Sequence, residues 1–101
     1  MGAWEIYWPN GQIFRKGVYL KGKKEGLWLD YHENGQLWET GSYKLGNKDG
    51  FWETYWNHGG LYSKGEFKLG KAEGSWKYFK TNGTLDHLFS GYYSEGRKIS
   101  N

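Results

Sequence analysis

The ten residues GLWLDYHENG that begin at Gly26 return 24 residues later as GFWETYWNHG, and once more as GSWKYFKTNG. A chain that restates one short unit must build one supersecondary element and bury it against its own copies, so this period constrains the fold more than any other feature. Trp4, Trp28, Trp52 and Trp76 stand 24 residues apart, as do Gly2, Gly26, Gly50 and Gly74. Tyr7, Tyr31, Tyr55 and Phe79 keep the same interval, and so do Ile13, Leu37, Leu61 and Leu85. Asn10, Asn34 and Asn82 precede Gly11, Gly35 and Gly83, with His58 in the same place before Gly59. Gly17, Gly41 and Gly65 are each followed two residues on by Tyr19, Tyr43 or Phe67, whereas Gly91 and Tyr93 arrive two residues late, after an insertion near DHLFSG. Residues 1–101 thus read as one repeat domain of four units, 2–25, 26–49, 50–73 and 74–99.

Each unit contains two turn signals. One is Asn-Gly between alternating apolar runs, which predicts a two-residue hairpin turn with positive φ at both residues. The other is the glycine-bounded stretch GKKEG, GNKDG or GKAEG. The intervals between them suit two strands of about 6–8 residues per unit. No segment sustains apolar residues at i, i+3, i+4 and i+7, so no helix is expected. Aromatic residues make up 21% of the chain and all hydrophobic residues together 37%, so rings rather than aliphatic side chains must supply the burial. The expected fold is all-β: a repetitive antiparallel β-hairpin meander of about eight strands, forming an elongated single-layer or curled sheet.

A two-residue Asn34-Gly35 turn would place Trp28 opposite Gly41 and Tyr31 opposite Trp38. The same rule sets Trp4 against Gly17, Trp52 against Gly65, Tyr7 against Phe14 and Tyr55 against Tyr62. Trp4, Trp28, Trp52 and Trp76, with Gly17, Gly41 and Gly65, are therefore the expected structural repeat residues, each ring covering a strand glycine. Glu5–Lys16 and Glu53–Lys64 fall opposite one another with complementary charge, while Asp30–Glu39 is a like-charge pair.

These positions resemble the MORN repeat in its bacterial variant, G-x-W-x-x-Y-x-x-N-G-x-L-x-x-x-G-x-Y-x-x-G-x-x-D-G, which Gly26 to Gly50 match at every specified position. The resemblance runs through all four units, departing at His58, Ala72 and the insertion. It implies stacked hairpins in one open or curled sheet and supplies no catalytic residues. Bacterial proteins of this kind are often labelled antitoxin or immunity components, and MORN-like arrays serve as scaffolds for proteins and sometimes membrane lipids.

The residues themselves show no enzyme: there is no P-loop, no G-x-S-x-G elbow and no Ser/His/acid arrangement in a recognisable context. His32, His58 and His87 lie in or beside turns at irregular spacing, and Glu25, Asp49 and Glu73 each sit in a glycine-bounded turn, so no metal and no cofactor is expected. The chain lacks cysteine and therefore disulfides. It has no apolar run long enough for a membrane span, and MGAWEIYWPNG does not read as a signal peptide, which points to the cytoplasm. Net charge is +3, divided as +3 over residues 2–25, −2 over 26–49, 0 over 50–73 and +2 over 74–101. This leaves no continuous basic stripe for nucleic acid. The invariant rings belong to the core. The non-invariant aromatics Trp8, Trp38, Trp56 and Tyr62, with Phe14 and Tyr92, are the candidates for a binding surface, because a single layer cannot hide rings on both faces. The expected function is a non-enzymatic module that binds another protein, a toxin in the antitoxin or immunity case. The alternatives are an aromatic-lined carbohydrate or cell-wall binder and a structural repeat array. Unpaired end strands also predict self-association through the sheet edges.

Overall fold

A computed structural model describes residues 2–101. It contains nine strands: β1 (Gly2–Tyr7), β2 (Ile13–Leu20), β3 (Lys23–Tyr31), β4 (Leu37–Lys44), β5 (Asn47–Tyr55), β6 (Leu61–Lys68), β7 (Lys71–Tyr78), β8 (Gly91–Ser94) and β9 (Arg97–Ser100). Each pairs antiparallel with the next in a single sheet ordered β1 to β9. The molecule measures 40 × 31 × 14 Å, one sheet thick. The ninth strand follows from a turn, Glu95-Gly96, that repeats Lys21-Gly22, Leu45-Gly46 and Leu69-Gly70.

The two kinds of turn exchange the roles expected of them. In the Asn-Gly loops the His32 carbonyl accepts from Gly35 N–H, and His32 N–H donates to the Gln36 carbonyl. Positive φ occurs at Gly35 and not at Asn34. This is a three-residue loop, a type I turn closed by a left-handed glycine, and it recurs at Trp8–Gln12, Trp56–Gly60 and Lys80–Thr84. Pro9 occupies the second position of the first such turn, where its fixed φ fits. Asn10, Asn34 and Asn82 accept from the N–H two residues on, and His58 Nδ1 does the same for Gly60. The two-residue turns with positive φ at both residues are instead Lys21-Gly22, Leu45-Gly46, Leu69-Gly70 and Glu95-Gly96.

The extra loop residue shifts the register by one, and a β-bulge shifts it back. Tyr31 pairs with Leu37 rather than Trp38, and Asp30 then pairs with Glu39. Likewise Tyr7 pairs with Ile13 rather than Phe14, and Tyr55 with Leu61 rather than Tyr62. Phe14, Trp38 and Tyr62 are the unpaired bulge residues. The recurring Ile and Leu are thus the cross-strand partners of the recurring tyrosines, and the expected Tyr–aromatic pairs do not form.

Beyond the bulge the expected register holds: Trp4 pairs with Gly17, Trp28 with Gly41 and Trp52 with Gly65. The rings, however, lean the other way. Trp28 lies over Gly17, Trp52 over Gly41 and Trp76 over Gly65, so that a Cβ on any of these glycines would stand 2.1 Å from an indole carbon. Each indole N–H donates to a carbonyl beside that glycine, Val18, Ser42 or Glu66. A second irregularity, at left-handed Gly26, Gly50 and Gly74, adds two residues to β3, β5 and β7 just before each tryptophan. Trp28, Trp52 and Trp76, only 2–4% exposed, are the buried hydrophobic core.

Trp4, Tyr19, Trp28, Tyr43, Trp52, Phe67, Trp76 and Tyr93 form one edge-to-face row across the sheet, with neighbouring centroids 5.0 to 6.4 Å apart. Lys24 caps Trp28 and Tyr43, and Lys48 caps Trp52 and Phe67. The chain has Ala72 at the next equivalent place. Each repeat therefore seats its tryptophan on the repeat before it. Trp4 covers no glycine and is half-exposed on the edge strand.

Candidate functional site

The bulges put the four non-invariant aromatics into two clusters near the Asn-Gly end of the strands. In the first, Trp8 and Phe14 lie 4.4 Å apart, Phe14 stacks at 6.3 Å on Trp38, and Trp38 stacks at 5.3 Å on His32. In the second, Trp56 meets Tyr62 at 4.6 Å, Tyr62 meets Tyr78 at 5.6 Å, and Tyr78 continues to Phe89 and back to Trp76. The contact with Trp76 places this second cluster on the face that carries the tryptophan row.

The four candidates are not equivalent. Trp8 Nε1–H donates to the Tyr31 carbonyl and Trp56 Nε1–H to the Phe79 carbonyl, so both span adjacent repeats and are partly buried. His32 holds the corresponding place, with Nε2 2.8 Å from the Tyr55 carbonyl, and must carry its proton on that nitrogen. The repeat position shared by Trp8, His32 and Trp56 is a bracket between hairpins, a role hidden in the sequence because histidine and tryptophan look unrelated there. Trp38 and Tyr62 make no side-chain hydrogen bond among the described residues and are 37% and 36% exposed. Tyr92 is half-exposed, outside either cluster. A shallow hollow of about 380 Å³ lies beside the first cluster, between Trp8, His32, Asn34, Trp38 and Asn57.

The charges nearby are matched within the sheet. The like-charge Asp30–Glu39 pair is neutralised from the flanking strands: Arg15 grips Asp30 through two bonds of 3.0 and 3.2 Å, and Lys48 reaches Glu39 at 3.0 Å. The bond to Asp30 raises the guanidinium pKa, although burial opposes it, and Arg15 also lies 5.0 Å over Phe14. Burial and the carboxylates of Glu39 and Asp30 push the Tyr43 phenol up, and burial pushes Tyr78 up. Desolvation, with Arg15 nearby, lowers the Lys24 ammonium.

The insertion closes the second cluster. Ser90 Oγ accepts from Tyr78 N–H and donates to the Tyr78 carbonyl, standing in for a strand partner. It also projects Phe89 onto Tyr78 and restores the register, with Trp76 opposite Gly91. Of the recurring acids, Glu25 accepts from Leu45 N–H and Glu73 from Glu95 N–H, each binding the turn of the following repeat. No group of three metal-ligating side chains occurs among the described residues.

A family model described as MORN repeat variant matches the chain twice, over residues 2–21 and 24–45. Repeats of this kind are generally associated with protein- or membrane-binding modules and are not typically enzymatic. A search of curated proteins found no match to the chain.

Proposed function

We propose, from the premise that the chain carries repeats of the MORN-variant family, that it is a non-enzymatic module which binds another protein through the two aromatic clusters. The observation that supports this is a division of labour among the rings. Eight of them form the row that holds the sheet, whereas Trp38 and Tyr62 sit on bulges outside that row and are over a third exposed. Large, stiff rings on a rigid sheet anchor interfaces at low entropic cost. Neutralisation of a toxin is the finer form of this reading, with the toxin blocked sterically, since a chain of net positive charge does not mimic nucleic acid.

The test is a pair of single changes, Trp38→Ala and Tyr62→Ala, in protein whose fold is verified by circular dichroism. The partner is first fixed by cross-linking in extract. Each change is expected to weaken its binding about tenfold or more, a loss of about 1.4 kcal/mol. Parent-like affinity in both would exclude the clusters as the contact. Saturable quenching of tryptophan fluorescence by a soluble glycan, lost in the same variants, would make carbohydrate the ligand instead.

A further inference from the structure

We propose that the rim built by the four two-residue turns is a second docking surface, for a partner protein that presents carboxylates interspersed with apolar side chains. The turns Lys21-Gly22, Leu45-Gly46, Leu69-Gly70 and Glu95-Gly96 all lie at the end of the sheet opposite the Asn-Gly loops. They are tied in a row by Gly46 N–H to the Lys24 carbonyl, Gly70 N–H to the Lys48 carbonyl and Gly96 N–H to the Ala72 carbonyl. Successive tips are two strands apart, about 10 Å.

Charge is sorted along the strands rather than along the chain. Residues 20–25, 44–49, 68–73 and 94–99 hold nine Lys and Arg against four Asp and Glu; the rest of the chain holds five against seven. Lys24 and Lys48 fold over rings, and Lys98 donates to the Leu88 carbonyl. The other six, Lys21, Lys23, Lys44, Lys68, Lys71 and Arg97, are exposed. Between the last two tips the rim is hollowed by about 470 Å³, lined by Lys68, Leu69, Lys71, Glu73, Ser94 and Glu95, so that cations and carboxylates alternate there.

The tips give the second, independent reason. Leu45 and Leu69 sit at φ 52°, a left-handed conformation that suits Gly, Asn or Asp and that leucine rarely adopts. They are also 64% and 73% exposed. Neither the turn nor the packing gains from a leucine there, and such strain at an exposed apolar residue marks a contact surface. A protein fits this rim better than an anionic bilayer does. Glu95 forms the fourth tip in the same row, and the carboxylates of Glu25 and Glu73 are fixed within the rim. A uniformly anionic surface repels these acids, whereas a protein surface can set a cation against them.

The turn chemistry makes the test sharp, because Leu45→Asn with Leu69→Asn relieves the strain. The double variant is expected to melt a few degrees higher than the parent while binding less well. The probe is a random glutamate–tyrosine copolymer, compared with poly-L-glutamate and with vesicles of phosphatidylglycerol and phosphatidylcholine. The parent is expected to bind the copolymer several-fold more tightly than poly-L-glutamate, with an affinity that falls as salt is raised. The leucine variant is expected to lose that preference, and Lys44→Glu with Lys68→Glu is expected to lose both polymers. Copolymer binding unchanged in the leucine variant, or binding to vesicles and not to the copolymer, would overturn the proposal. Trp38 and Tyr62 lie at the other end of the strands, so their variants should leave copolymer binding unchanged.

Discussion

Gly41 and Trp52 show how the sheet is held at the level of single residues. A methyl group on Gly41 would stand 2.1 Å from the indole, and the ring cannot retreat because its N–H is bonded to the Ser42 carbonyl. Gly41→Ala is expected to cost about 1–3 kcal/mol by overpacking, and Trp52→Ala about 3–5 kcal/mol by leaving a cavity. The two together should cost less than their sum, since the methyl then fills part of the space the ring vacated. Urea denaturation of the four proteins measures this coupling; additive costs would mean that the ring does not sit on that glycine. Trp52→Phe separates shape from polarity. It leaves the Ser42 carbonyl without its donor, at a cost of about 1–3 kcal/mol beyond the lost area.

At the level of the hairpin, the sequence and the structure part at the turns. The tryptophan–glycine pairing was legible because both residues recur at a fixed interval, and a ring needs a residue without a side chain beneath it. The bulges at Phe14, Trp38 and Tyr62 were not legible, because Asn-Gly suits either a two-residue turn or the last two residues of a three-residue one. That single residue decides which face a side chain takes. It moved Trp38 and Tyr62 away from the recurring tyrosines and into separate clusters. The ninth strand was legible in principle, since Glu95-Gly96-Arg97-Lys98 repeats the turn of Lys21-Gly22-Lys23-Lys24, but the insertion masks its phase. Two departures from the repeat should be reversible. Ala72→Lys would place an ammonium over Trp76 and Tyr93, as Lys24 and Lys48 are placed, and is expected to add about 0.5–1 kcal/mol. His58→Asn would supply the amide whose counterpart in Asn34 donates to the Asn57 carbonyl, and should raise the melting temperature slightly. A lysine at 72 that leaves stability unchanged would show that the cap contributes nothing.

For the molecule as a whole, a single layer leaves much of its surface in water and its stability open to alkali. The phenols of Tyr43 and Tyr78 are raised mainly by burial, as are those of Tyr55 and Tyr93. An unfolded phenol ionises near about pH 10, and a folded one only above it. The stabilisation is therefore whole below about pH 10 and is lost as pH rises through the folded values. The lowered Lys24 works in the opposite sense, as one ammonium against several phenols. Stability should hold from neutrality to about pH 10 and then fall, with phenolate absorbance rising late; denaturation midpoints level to pH 11 would contradict this. The edges add a second expectation. All six residues of β1 are exposed, with Trp4, Ile6 and Tyr7 among them and no lysine or proline within the strand. Light scattering should detect concentration-dependent association that Trp4→Lys reduces.

Exchange of the seven indole N–H protons with deuterium, followed residue by residue by NMR, tests most directly whether each repeat seats its tryptophan on the one before. Trp28, Trp52 and Trp76, bonded and buried over their glycines, should exchange only with global opening of the sheet. Trp8 and Trp56, bonded but partly exposed, should be intermediate, and Trp4 and Trp38 should exchange at once. Fast exchange at Trp28, Trp52 and Trp76, or protection spread evenly over all seven, would contradict the seating of each tryptophan on the preceding repeat.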